Sequence, residues 1–324
     1  MGIPAYQRSP FVEAAIESVL AQTFTDWHLL ISEDGPAGGE LEAAVRPYLA
    51  DPRIEYRATG ERLGAAGNHS VVLERGSAPF VAILNHDDRW DSEFLARRVD
   101  FLERHTDAAV VFSGNTEIDE RGEELKRSRL RLAERVHQPD EFLPLLLRRN
   151  VISMPTLVAL RRAYEAVGPR FDPQWRFLYD YDMWLRLAVR FGFGYLHVWD
   201  AAYRRHDEQM TYSQHGWGEE WLRFLPHANA IVPERLRMSR REMRRRRSHA
   251  FLSAALDALE TGDRRSALRH VRAAIRTYSL RALDPRTPAV LIVSALGARS
   301  RRALARLRWQ VHRRAVRVHF RTRW

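Results

Sequence analysis

The sequence predicts an α/β protein, with a mostly parallel sheet flanked by helices and an all-helical, basic extension at its C-terminal end. Three observations carry this expectation. Short apolar, β-rich runs alternate with helical patterns over the first 115 residues, the signature of repeated β-α-β units. The acidic turn Asn85-His86-Asp87-Asp88 directly follows the apolar run 80–84 and precedes an amphipathic stretch. From about residue 217 the periodicity is helical throughout and arginine becomes dense.

In order, 10–20 reads as a helix with Val12, Ile16, Val19 and Leu20 on one face, and 27–31 as a strand that ends at Ser32-Glu33-Asp34-Gly35. Residues 40–49 read as a helix that Pro47 bends or ends early. A short strand is expected at 53–56 and a helix at 64–74, opening in a Gly/Ala turn. Strand 80–84, a helix at 94–105 and strand 108–112 continue the alternation. Residues 120–149 are charged and give no clear strand signal, with a partly helical, loosely packed 132–147. The chain then returns to the sheet at 154–160, forms a helix over 180–191 on the stripe Met183, Trp184, Leu187 and Ala188, and ends the sheet at 194–198. Leu252, Ala255, Leu256 and Leu259, then Gly262-Asp263, then Ala267, Val271, Ala274 and Ile275 predict a helical hairpin. The implied division is a domain over 1–216, with its two parts meeting near 115, and a helical region over 217–324.

Composition narrows the function. The 324 residues are 45% apolar and contain no cysteine, which excludes disulfides and thiolate metal sites. No apolar run approaches the ~18–20 residues needed to span a bilayer, and no signal peptide pattern is present, so a cytoplasmic protein is expected. The net charge of +11 hides an asymmetry. Residues 235–324 hold 25 Arg, no Lys and 5 acidic residues, whereas 1–234 hold 27 basic and 36 acidic residues. An acidic body therefore carries a basic tail.

The acidic turn is the strongest chemical signal. Carboxylates at the C-terminal end of a buried strand lie where open α/β sheets bind ligands, and two of them can hold a hard divalent cation and, through it, a phosphate. A solvated turn would look the same. Asp91 and Ser92, however, suffice to cap the following helix, leaving Asp87 and Asp88 without a structural task.

Further motifs in order give a family resemblance. Ile3-Pro4-Ala5-Tyr6-Gln7-Arg8, Ser32-Glu33-Asp34-Gly35, Gly64-Ala65-Ala66-Gly67-Asn68, the acidic turn, Tyr179-Asp180-Tyr181-Asp182-Met183-Trp184 and Tyr203-Arg204-Arg205-His206 resemble family 2 glycosyltransferases of the GT-A fold over roughly 2–213. Asn85 stands where the family's first Asp is usual, and Tyr179 where Glu is usual. Only three residues precede Pro4, so either the first strand is stunted or the true start lies upstream.

The resemblance implies inverting transfer from a UDP-, dTDP- or GDP-sugar to a hydroxyl of a glycan or lipid-linked acceptor in cell-surface polysaccharide or glycoconjugate assembly. It implies Pro4, Tyr6, Asp34, Gly64, Asn68, Asp87, Arg204 and Arg205 around the donor. Asp34 would take the base imide, or serve only as a turn or helix cap. Mg²⁺ or Mn²⁺ would sit on Asp88, with Asp87 and His206, and Asp180 would be the general base. The competing expectation is a catalytically degenerate nucleotide- or polyanion-binding protein on the same fold. Arg244-Arg245-Arg246-Arg247 and the arginines of 299–323 could meet nucleic acid, but the family reading favours an anionic membrane face, helped by Leu291, Ile292, Val293, Leu296, Leu304, Leu307 and Val311.

Overall fold

The computed structural model describes residues 1–279, apart from Arg8, Glu208 and 211–214. It forms two compact units, Met1–Gln209 and Met210–Trp324.

The first unit opens β1 (Gly2–Ala5), α1 (Val12–Leu20), β2 (Leu29–Glu33), α2 (Glu40–Val45), β3 (Ile54–Ala58), α3 (Gly64–Arg75), β4 (Phe80–Ala82), β5 (Arg89–Trp90) and α4 (Phe94–Arg104). It continues β6 (Ala108–Ser113), β7 (Thr116–Ile118), β8 (Glu124–Arg127), β9 (Val136–His137), α5 (Pro139–Arg148), β10 (Val158–Leu160), α6 (Arg161–Val167), α7 (Tyr179–Arg190), β11 (Gly192–Leu196) and β12 (Ala201–Arg204). Strands β1, β2 and β3 are parallel. A parallel bridge from Gly2 to Ile83 joins them to a second sheet in the order β4-β10-β6-β11-β9. There β6 and β11 are parallel, while β10 runs antiparallel to both its neighbours. The third sheet, β5-β12-β7-β8, pairs β12 parallel to β7.

The apolar periodicity predicts the core except at Leu20, expected on the α1 face but 36% exposed. Ile16 and Val19 of α1, Leu41 and Val45 of α2, Leu29 and Ile31 of β2, and Phe94 and Leu102 of α4 share one cluster with Val111 of β6. As Pro47 implies, the α-helix of 40–49 gives way to a 3-10 turn over Arg46–Ala50.

Three expectations are corrected. The segment 120–149 contains two strands. Every residue of β8, Glu-Leu-Lys-Arg, is exposed on an edge, so burial leaves no apolar signature there. Its helix α5 is not loose: Phe142, Leu143, Leu146 and Leu147 are buried. The strand near 194–198 is not the last, because the short β12 follows it.

In the second unit, α8 (Trp217–Ile231), α9 (Arg240–Glu260) and α10 (Arg264–Thr277) follow in order. The expected hairpin is α9–α10, closed by Leu252, Ala255, Leu256, Leu259, Ala267, Val271 and Ala274. Ser239 and Asp263 cap its two helices by accepting N–H bonds from Glu242 and Ser266. A Cβ on Gly218 would lie 2.0 Å from the Ala254 nitrogen, so only glycine lets α8 approach α9 so closely. The stretches 289–296 and 299–323 lie outside the described residues.

Candidate active site

The acidic turn lies between β4 and β5, and β12 holds it from the other side. The backbone N–H of Arg204 donates to Asp88 Oδ1 at 2.9 Å, and the Asn85 amide donates to Asp88 Oδ2 at 2.9 Å. Asp88 is 1% exposed. Burial, then the charge of Asp87, push its carboxyl well above the usual range. Asp87 is half-buried, and its Oδ2 lies 3.0 Å from His206 Nε2. Burial opposes its ionisation, but the His206 bond and the nearby His86 hold it below the usual range. Phe11 packs on His206, ring centroids 5.2 Å apart, and so fixes its plane.

These positions suit a divalent cation in part. A carboxylate oxygen and an imidazole nitrogen 3.0 Å apart match the spacing of adjacent ligands in an octahedral shell with bonds of about 2.1 Å. Asp87, Asp88 and His206 do not converge as a three-residue cluster; among the described residues only His215, Asp257 and Glu260 do so within 4.8 Å. Each Asp88 oxygen accepts one N–H, so Asp88 also braces the turn, while Asp87 pairs with His206.

The Arg204 guanidinium is buried and donates to the carbonyls of Asp87, Asp119 and Glu120, so it clamps backbone. Arg205 pairs with Glu117 at 2.8 Å, and Glu117 also meets Lys126.

On the other side of the strand edge, Asp34 is 4% exposed and accepts the N–H groups of Leu63 and Gly64 at 2.6 and 3.0 Å. It thereby holds the start of α3, where Gly64 takes φ +75, a conformation glycine adopts without strain. Asn68 donates to the carbonyls of Ala5 and Ser32 and is 3% exposed. It staples the ends of β1 and β2. Pro4 is buried in β1. Tyr6 is 41% exposed with the Arg62 guanidinium 4.0 Å over its ring.

Asp180 is half-buried in the first turn of α7. Its Oδ1 accepts the Tyr181 N–H at 2.6 Å, and Asn150 Nδ2 reaches Oδ2 at 3.5 Å. The helix begins one residue earlier, so Asp180 is not its N-cap. Asp182 is buried and paired with Arg186 at 2.8 Å, as electrostatic support requires. Beside these, Tyr179 has its phenol pushed up, first by burial and then by the charges of Asp180 and Asp87. One hydroxyl therefore senses both the acidic turn and the α7 carboxylate.

A family model described as glycosyl transferase family 2 matches residues 1–166. The chain belongs to that family. Within it, the chain is 26% identical over 188 residues to the putative teichuronic acid biosynthesis glycosyltransferase TuaG of Bacillus subtilis, covering 58% of this chain and 70% of that protein. It is 29% identical over 194 residues to the uncharacterized protein y4gI of Sinorhizobium fredii, covering 58% of this chain but only 20% of y4gI. Among solved structures, S. aureus TarS 1-349 in complex with UDP-GlcNAc superposes with a TM-score of 0.62 at 12% identity, covering 95% of this chain and 90% of TarS 1-349. The mannosyltransferase PcManGT from Pyrobaculum calidifontis, in complex with GDP-Man and Mn²⁺, gives 0.52 at 17% identity, covering 91% and 85%. These likenesses show the GT-A fold expected from the sequence.

Within this family-2 site, sequence reasoning missed His69, Asn150 and the buried pair Arg98–Asp200. His69 sits in α3 and is 6% exposed; no local pattern distinguishes it from a helix-surface histidine. Burial lowers its pKa to about 4, from 6.5. The unfolded chain therefore takes up a proton below pH 6.5 that the folded chain refuses. Stability is full above pH 6.5 and falls towards pH 4, by up to about 3 kcal/mol. Thermal melts from pH 7 to 4.5 should show this acid limb, and His69→Gln should flatten it.

Proposed function

We propose that this protein is an inverting, metal-dependent hexosyltransferase. It moves a sugar from a UDP-, dTDP- or GDP-sugar to an acceptor hydroxyl, in cell-surface polysaccharide or glycoconjugate assembly. The observation that carries this reading is the Asp87–His206 pair in the acidic turn, with Asp180 on α7 near enough that the charges of Asp180 and Asp87 both act on the Tyr179 phenol. TuaG's name and the nucleotide sugars bound by TarS and PcManGT support it.

Pro4, Tyr6 and Asp34 would line the nucleobase edge. Each Asp34 oxygen has a second lone pair to offer the base imide besides the helix amide it holds. Asp88, with Asp87 and His206, would hold Mg²⁺ or Mn²⁺, which when bound supplies Lewis-acid neutralisation of the departing diphosphate. Asp180 would take the acceptor proton as the hydroxyl attacks the anomeric carbon from the face opposite the leaving group, which inverts that centre.

Thermal-shift titration of nucleotide sugars with and without Mn²⁺ tests the donor site. One donor should raise the melting temperature only with metal, and Asp87→Ala or His206→Ala should remove the metal-dependent part. Asn85 and Tyr179, at positions where the family usually has acids, favour the second reading of a nucleotide- or polyanion-binding protein without transfer. Donor binding without sugar transfer or hydrolysis would establish that reading.

The same proposal places the protein peripherally at the inner face of the cytoplasmic membrane. No described helix is long and apolar enough to cross a bilayer. Exposed Arg240, Arg241, Arg244, Arg245 and Arg247 on α9 give a basic surface instead. Sedimentation with anionic vesicles at low salt should carry the protein down, and ~0.5 M salt should release it. Equal recovery with neutral vesicles would remove the membrane assignment.

A further inference from the structure

A single imidazole stands between the acidic turn and the helix that carries Asp180. His69 Nδ1 lies 2.8 Å from the Ala65 carbonyl oxygen. A carbonyl can only accept, so Nδ1 carries the proton and Nε2 is left as an acceptor. The Tyr179 hydroxyl lies 3.5 Å from Nε2, the two rings pack edge-on with centroids 5.1 Å apart, and the Asn85 side chain also interacts with the imidazole. Asn85 in turn donates to Asp88. Phe171 packs edge-on against His69 and Tyr179, at 5.7 and 5.6 Å between centroids. The neighbouring Ser70 hydroxyl accepts the Phe171 N–H at 3.0 Å, which anchors that wall to α3. Tyr179 is the first residue of α7 and Asp180 the second.

We propose that His69 is a positioning residue for sugar transfer: its Nε2 sets the Tyr179 hydroxyl, and through it the Asp180 carboxylate, relative to the Asn85–Asp88 turn. The proposal rests on the reading of Asp180 as general base. The two residues that lack the family's usual acid, Asn85 and Tyr179, are the two that converge on this ring. A neutral, hydrogen-bonded junction thus joins donor side and acceptor side.

The test is a double-mutant cycle with His69→Phe and Tyr179→Phe, which keep ring packing and remove the acceptor and the donor of the bond, the first also giving up the Nδ1–H bond to the Ala65 carbonyl. Each single change should lower kcat by about tenfold and leave metal-dependent donor binding within about twofold. The double variant should be no worse than either single one, because both break the same contact. His69→Gln, which can still accept from Tyr179, should restore part of the loss. Multiplying losses in the double variant would overturn the proposal. So would losses confined to donor binding or melting temperature at unchanged kcat. If the unmodified protein transfers sugar and the cycle is additive, only the positioning role falls; if it transfers nothing with any donor, the general-base reading falls and this proposal with it.

Discussion

Asp180→Asn should lower sugar transfer by about 10²- to 10⁴-fold, the span associated with losing a positioned general base. The carboxamide has the shape of the carboxylate and can still accept the Tyr181 N–H, bonded at 2.6 Å in the native chain. The helix start therefore survives, and metal-dependent donor binding should be unchanged. That separation is the diagnostic. A folding defect would lower binding and turnover together, whereas loss of proton abstraction lowers turnover alone. Near-normal turnover would show that another group takes the proton. Asp182 would not be the substitute, because it is 1% exposed and bonded to Arg186.

Arg98→Met should cost about 3–5 kcal/mol of stability, the largest structural effect expected in the chain. Arg98 is fully buried and donates to five acceptors: both Asp200 oxygens, the Ser113 hydroxyl, and the carbonyls of Phe94 and Thr156. Its guanidinium also lies 3.5 Å above the Phe94 ring. Removing it leaves the 2%-exposed Asp200 with only Arg97, 41% exposed, as a charged partner among the described residues, at 3.2 Å. Urea unfolding should place Arg98→Met well below the wild type. The double variant Arg98→Met/Asp200→Leu should recover part of the difference, since no buried charge is then stranded. A single variant as stable as the wild type would mean that water reaches Asp200.

The strand ends and the carboxylates at them were legible because both follow from local chemistry. An apolar run terminated by Asp34 or by Asp87-Asp88 needs no tertiary information to be read as a strand meeting a polar edge. The division of labour within those carboxylates was not legible. Which of Asp87 and Asp88 receives the Arg204 N–H could not be read locally, because that bond spans 116 residues. Asn68 and Arg204 resemble ligand contacts in sequence, and the fold also gives each a structural task on backbone carbonyls distant in the chain. The strand β8 was hidden for the opposite reason. It buries nothing, so its pairing with β7 left no apolar mark.

Arg204 fastens the acidic turn twice, through its N–H to Asp88 and its side chain to the Asp87 carbonyl. A growing chain makes the turn long before it makes the fastener. On the ribosome the donor atoms of Asp87 emerge with neither His206 nor the brace on Asp88, and more than a hundred further residues must follow before both exist. At ordinary elongation speeds that delay is of the order of ten seconds. The nascent protein would pass through this interval with its first strands made and its ion pair incomplete. Under the proposed function, metal capture should thus come as a late event in synthesis, coincident with the docking of β12.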